Sequence, residues 1–181
     1  MTKPGRRFDP ERRNRIIATT LDVIAERGVA GTTHRAIAEA ADVPLGSMTY
    51  HFNNLEEIIA EAFTQLSQEI SERFRIALEA AKTVEEAREV VVQIICGDIW
   101  LTDRNMTLQF ELYAYMARNH GMKSITAAWM ARSRAALETH FDAQTARALD
   151  SIIEGTTIHN FARKDLIPPE EVRALIAKVT R

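Results

Sequence analysis

The sequence predicts an all-α protein: an N-terminal three-helix head of helix-turn-helix type followed by a C-terminal helical bundle, about nine helices in all. Three observations predict it. Apolar residues recur at three- and four-residue steps along the chain, and no run alternates with the two-residue period of a strand. Cap and breaker residues fall between those runs, at spacings suited to helices. A hydrophobic fraction of 46% with 27% charged residues over 181 residues is that of a globular chain able to bury a core.

The first helix is predicted from Pro10 to Arg27, burying Ile17, Leu21 and Ile24, with Gly28 placed to end it. Thr33 can cap the second, which turns Ile37, Ala38 and Ala41 inward. Pro44 suits the first turn of the third, where its missing N–H costs nothing. Asn54 can cap a long fourth helix, with Glu57 completing a capping box, and Leu55, Ile59, Ala62, Leu66, Ile70 and Phe74 forming one apolar face. Further helices are predicted over 84–101, 104–118 and 123–140, separated by Gly121 and the Phe141-Asp142 corner. The eighth, over 144–163, is apolar on more than one side and must be covered from two directions. Pro168-Pro169-Glu170-Glu171 opens a short last helix with acids placed for its dipole.

Residues 1–54 carry eight Lys/Arg against six Asp/Glu, whereas residues 55–181 carry fifteen against nineteen. A basic head on an acidic body concentrates attraction for phosphate at one end, although a merely solvated charged tail gives the same count. The single cysteine, Cys96, excludes an internal disulfide framework and fits a reducing compartment. The basic N-terminus lacks the apolar stretch of a signal peptide, and the run "VVVQIICGDIWL" is too short and too interrupted to span a bilayer. A soluble, cytoplasmic protein is expected.

The stretch "HRAIAEAADVPLGSMTYHF", residues 34–52, is where the pattern changes. An apolar helix stops at Asp42-Val43-Pro44, and a second begins at once, crowded with Ser, Thr, Tyr and His. Two helices broken by such a turn are a helix-turn-helix signature, here spanning 33–52. Met48 and Phe52 fall on one face of the third helix, and the opposite face is read as Leu45, Ser47, Thr49 and Tyr50, with Gly46 beside them. Hydroxyls there suit phosphate and base-edge contacts, Gly46 lets the backbone approach a duplex, and Arg35 can reach a guanine edge or a phosphate.

Residues 10–59 thereby resemble the DNA-binding domain of the tetracycline-repressor family of bacterial transcription regulators. The matching features are Gly28, Thr33, Ile37-Ala38, Ala41, Val43, Gly46 and "YHFNNLEEII". Two departures stand out: the tyrosine sits one place later than in the family pattern, and Asn54 stands where the family often has lysine. The resemblance implies that Thr33, Tyr50 and His51, with Asn54 nearby, meet phosphates and that Arg35, Leu45, Ser47 and Thr49 face bases, with a base as the alternative partner of Tyr50. It implies too that a basic arm with Arg6, Arg7, Arg12 and Arg13 adds backbone or minor-groove contacts. The remainder, 55–181, would be a ligand-binding and dimerisation domain.

A helix-turn-helix head usually works as one half of a two-fold dimer on paired half-sites, so the partners expected are operator DNA and a second copy of the chain. The resemblance places the dimer contact on the last two long helices, through Trp129, Leu137, Leu149, Ile152, Ile153, Gly155, Thr156 and His159. It also implies a small-molecule pocket near Cys96, Trp100, Met106, Phe110, Tyr113, Met116 and Trp129. From the residues alone, an aromatic and methionine stripe at helical spacing more often marks core.

No His pair has i, i+4 spacing, no Glu-x-x-His occurs, and Ser and Cys lack the surroundings of a nucleophile, so neither metal, cofactor nor catalysis is expected. The function read from the sequence is a ligand-responsive DNA-binding regulator, a repressor acting as a homodimer. A helical enzyme with a vestigial head, or an architectural or partner-binding protein without sequence preference, are the competing readings.

Overall fold

In a computed structural model, which describes residues 9–97, 100–162 and 166–181, every regular element is helical. In chain order they are α1 (Arg12–Gly31), α2 (His34–Ala40), α3 (Gly46–His51), α4 (Leu55–Ala80), α5 (Val84–Cys96), α6 (Asp103–Arg118), α7 (Lys123–Leu137), α8 (Ala143–Ala162) and α9 (Pro169–Val179), with a 3₁₀ turn at His120–Met122 before α7. The chain divides into two compact units, Met1–Gln65 and Leu66–Arg181. The sequence reading drew its domain line at 54/55. The contact division falls later because Ile58, Ile59, Ala62 and Phe63, from the first turns of α4, are buried residues of the head.

Gly28 interrupts α1 with φ 68°, a conformation that costs glycine nothing, but helical hydrogen bonding resumes for one more turn instead of ending there. Thr33 caps α2 as expected, its Oγ1 accepting the Ala36 N–H at 3.1 Å. The turn to α3 is made by Asp42, at φ 51°, with the Val43 N–H donating to the Ala38 carbonyl. Pro44 lies just before α3, and its carbonyl accepts the Ser47 N–H at 2.8 Å. At the start of α4, Asn54 Oδ1 accepts the Glu57 N–H, while Glu57 reaches back to the N–H and amide of Asn53, one residue earlier than in a standard capping box.

The head core is Ile16, Ile17, Leu21, Val23 and Ile24 of α1 against Ile37, Ala38, Met48, Phe52 and the head-side residues of α4. Arg13 binds it at the edge: its guanidinium lies over the Phe52 ring at 4.8 Å and pairs with Glu61 at 2.5 Å.

In the second unit α5 stops five residues earlier than expected. Gly97 ends it, and a Cβ at that position would lie 2.6 Å from the Gln93 carbonyl oxygen. Trp100 therefore sits in the connection to α6 rather than on a helix. The last helix, α9, packs along α5. Arg173 makes two bonds to Glu89, at 2.8 and 2.9 Å, and Arg88 binds the hydroxyl and carbonyl of Thr180. α8 is covered by α5, α6, α7 and α9, as its two-sided apolar pattern requires.

Met48 is fully buried at the centre of the head. Met48→Ala should destabilise that unit by about 2–5 kcal/mol, measured by chemical denaturation followed through helical circular dichroism.

Candidate nucleic-acid interface and internal cavity

α3 has six residues, so its geometry allows two faces and little else. Met48 in α3 and Phe52 just after it are buried in the head, with Ser47 buried and His51 half-buried beside them, and Leu45, Gly46, Thr49 and Tyr50 are exposed. The sequence reading placed Ser47 outward because its hydroxyl suits a phosphate. It is buried, 8% exposed, on the inner flank next to Met48. The packing of α3 on the rest of the head covers Ser47 whatever its polarity.

The outward positions stand as expected. Tyr50 is 74% exposed and Leu45 50% exposed, unusual values for large apolar or aromatic side chains. The Thr49 hydroxyl donates to the Gly46 carbonyl at 3.3 Å. A Cβ at Gly46 would meet no atom of the chain, so nothing in the protein itself requires glycine there. Thr33 and Arg35, at the start of α2, are exposed, and the Thr33 hydroxyl proton stays available because its oxygen accepts the capping bond. Asn54 is exposed with Oδ1 committed to the cap of α4, leaving its amide nitrogen to meet an anion. His51 is half-buried with its ring edge-on to Tyr50 at 4.8 Å; burial, then the charges of Arg12 and Arg13, hold its pKa below the ordinary 6.5.

Of the basic arm, Arg6 and Arg7 lie outside the described residues. Arg12 lies 3.9 Å from Asp9, and Arg13 is engaged with Phe52 and Glu61. Arg13 thus serves the packing of the head.

The second unit holds a partly open cavity of about 40 Å³. Trp100, Trp129 and Tyr113 line it, as the sequence reading expected. The other four residues named for it do not. Met106 is fully buried in the core, and Phe110 packs on the outer side against Phe161, with ring centroids 5.7 Å apart. Cys96 faces the Arg173–Glu89 pair, and Met116 sits behind the wall, accepting the Thr126 hydroxyl on its sulfur at 3.1 Å. Composition put these residues together; helix phase separates them.

The cavity wall also includes Gln109, Asp150 and Glu154, which the sequence reading missed. The available signal was polar residues within otherwise inward stripes: Gln109 four before Tyr113 on α6, and Asp150 four before Glu154 beside Ile153 on α8. The Tyr113 hydroxyl donates to Glu154 at 2.5 Å and accepts from Gln109 Nε2 at 3.4 Å. Burial and the Glu154 carboxylate hold the Tyr113 phenol above its usual range. Burial pushes Asp150 up to about 6, the Arg134 guanidinium at 3.5 Å opposes this, and Glu154 adds to it. Trp100 stands edge-on to Trp129 at 5.1 Å and to Phe74 at 6.4 Å.

Of the residues expected at a dimer contact, Trp129, Leu137, Leu149 and Ile153 are already buried within the single chain, because α7 and α8 pack on each other there. Ile152, Gly155, Thr156 and His159 remain partly or fully accessible on α8, beside exposed Ala127, Ala128, Ala131 and Ala135 on α7. A Cβ at Gly155 would meet nothing in the chain. Among the described residues no group of three His, Cys, Asp or Glu side chains could hold a metal ion, and no helix is long and apolar enough to cross a membrane.

Residues 16–62 match the sequence profile of "Bacterial regulatory proteins, tetR family". A solved structure from Streptomyces coelicolor A3(2), described as a candidate transcriptional regulator, is 42% identical; the match covers 94% of this chain and 99% of that one, with a TM-score of 0.87. A second from the same organism, described as a member of the TetR family, is 30% identical over 95% of this chain and 99% of that one, with a TM-score of 0.77. The chain is also 24% identical, over 84% of each sequence, to the nicotine-responsive transcriptional repressor HdnoR of Paenarthrobacter nicotinovorans. Two of the three are named as regulators of transcription and the other as a member of the TetR family.

Asp150 ionises less readily in the folded chain than its ordinary 3.8, so the unfolded chain gives up this proton first as pH rises. The group therefore lowers stability progressively between about pH 4 and about pH 6, and by a constant amount above. Asp150→Asn should melt at a higher temperature than the parent near pH 7.5, with the difference closing near pH 4. A lower melting point at pH 7.5 would mean that the pair with Arg134 outweighs burial.

Proposed function

The chain belongs to the tetR family of bacterial regulatory proteins, and from that premise we propose that it is a homodimeric, cytoplasmic repressor released from a palindromic operator by a small molecule. The observation that carries the DNA-binding assignment to particular residues is the outward face of α3. Leu45 and Tyr50 are large side chains left mostly exposed, and Gly46 has no steric reason within the chain. In this reading Arg35, Leu45 and Thr49 face base edges in the major groove, and Thr33, Tyr50, His51 and Asn54 bind phosphates. Gly46 admits the duplex backbone. Ser47 supports α3 from inside.

The dimer reading is supported by Gly155. Glycine in a helix interior costs about 1 kcal/mol relative to alanine, and here no neighbour within the chain requires it. Close approach of α8 from a second copy gives it a reason, with the exposed alanines of α7 alongside. The regulatory reading rests on the cavity and on the single helix α4, which carries Ile58 and Ala62 in the head core and Phe74 in the cavity wall. A ligand that displaces Phe74 acts on a stiff element, and it shifts the DNA-binding equilibrium only as far as its affinities for the two arrangements differ. The repressor HdnoR, named as nicotine-responsive, is a relative in which a ligand response accompanies repression.

A gel-shift titration against DNA flanking its own gene, with scrambled competitor and varied salt, tests the operator reading. Preference for the flanking DNA is expected; equal affinity for scrambled DNA would leave an architectural role. Arg35→Ala and Tyr50→Ala should each weaken that binding by roughly 1–3 kcal/mol with little change in melting temperature. Gly155→Leu should convert the dimer to a monomer in sedimentation velocity while helical circular dichroism is retained.

A further inference from the structure

We propose that α3 reads the C5-methyl groups of thymine: Leu45 and Thr49 form an apolar contact that selects A·T pairs from the thymine side in each operator half-site. This rests on reading α3 as the recognition helix, and deepens that reading by naming the base feature it recognises.

The first support is what the motif lacks. In the major groove adenine is read by a bidentate amide and guanine by an arginine or lysine. Residues 33–52 contain no Asn, Gln or Lys and a single arginine, Arg35, near the start of α2. From Pro44 to Tyr50 no side chain carries an amide, a guanidinium, an ammonium or a carboxylate. α3 therefore has no group for a two-bond contact with any base.

The second is what the helix exposes. Leu45 has helical backbone angles, φ −53° and ψ −35°, so Thr49, four residues on, stands beside it on the same side of the helix. Both are exposed, as is Pro44 next to them, and Gly46 adds no side chain that would hold a base edge away. Ser47, the other hydroxyl within the first turn, is buried. The Thr49 hydroxyl donates its proton to the Gly46 carbonyl, which leaves its methyl group and an oxygen acceptor for a partner. A leucine and a threonine methyl are the surface that α3 brings to a groove.

Thymine is the one base with an apolar group in the major groove, and covering that methyl with Leu45 and Thr49 removes apolar surface from water on both sides. Cytosine at the same place presents an amino group, whose water Leu45 strips without supplying an acceptor. The contact selects by gain with thymine and by loss with cytosine. Side chains four apart on a helix are about 6 Å apart and base pairs stack about 3.4 Å apart, so the two residues reach methyls one or two pairs apart.

The methyls can be removed without knowing the operator. DNA flanking the gene is amplified with deoxyuridine triphosphate in place of thymidine triphosphate, which turns every thymine into uracil and leaves base pairing intact. A buried methyl changes binding roughly fourfold, so in a gel-shift titration of the full-length protein the uracil fragment should bind at least roughly tenfold more weakly than the thymine fragment. Scrambled DNA should bind alike in both forms. Leu45→Ala, and Thr49→Ser, which keeps the hydroxyl, should each weaken binding to the thymine fragment and shrink that ratio, with little change in melting temperature because both positions are exposed. Preference for the thymine fragment over scrambled DNA, with equal affinity for the uracil fragment, would overturn the methyl assignment on the parent protein alone and leave the operator reading standing. A ratio undiminished in the double variant would overturn it too, because uracil would then be acting through the shape of the duplex. If the thymine fragment binds no better than scrambled DNA, the operator reading falls and the methyl assignment falls with it.

Discussion

The head depends on the burial of two side chains. A helix of six residues has too few internal hydrogen bonds to persist by itself, and α3 exists because Met48 and Phe52, four residues apart, insert into the core built by α1, α2 and α4. Arg13 lies over the Phe52 ring and fixes its outer edge. Once those two positions are inside, the rotation of the helix is set, and with it the identity of every outward residue. Gly46 and Tyr50 lie about half a turn from Met48 and face out, with Leu45 and Thr49 exposed beside them. The exposed surface is thus set by the packing beneath it, which takes in Ser47 and leaves Tyr50 outside.

The second unit handles polarity in the opposite way. In the head, polar atoms near the core are absorbed into caps and turns: the Thr33 and Asn54 caps, and the Asp42 turn. In the body, a tyrosine, a glutamine and two carboxylates are drawn inward around a space that apolar side chains do not fill. Burying Asp150 raises its pKa against the pull of Arg134, a stability cost with no packing return. Proteins retain such arrangements where a ligand completes them. The two units therefore carry different kinds of evidence for function, one by what is exposed without reason and the other by what is buried without reason.

α4 belongs to both. Its early residues complete the head core, and Phe74 closes one side of the cavity. The helix is amphipathic along its whole length and contains neither proline nor glycine, so it has no built-in point at which to bend. In the proposed regulatory reading, α4 is the element of the chain on which a ligand in the second unit would act.

Much of this was legible in the amino-acid order. Helical class, the caps at Thr33 and Asn54, the turn after Ala41, the buried row Ile37, Ala38, Met48 and Phe52 and the exposed Tyr50 all follow from local rules, because each depends on residues within about one helical turn. What tertiary structure alone decided is which of several apolar or polar side chains meet across elements. Met106, Phe110, Met116 and Trp129 share a composition, yet only Trp129 reaches the cavity. Leu149 and Ile153 are consumed by α7 rather than left for a second chain, while Gln109, Asp150 and Glu154 converge from α6 and α8. The reason is physical: helix phase and crossing angle set which side of each helix meets which neighbour, and those quantities arise from packing between segments distant in the chain, about which the period of a single helix carries no information.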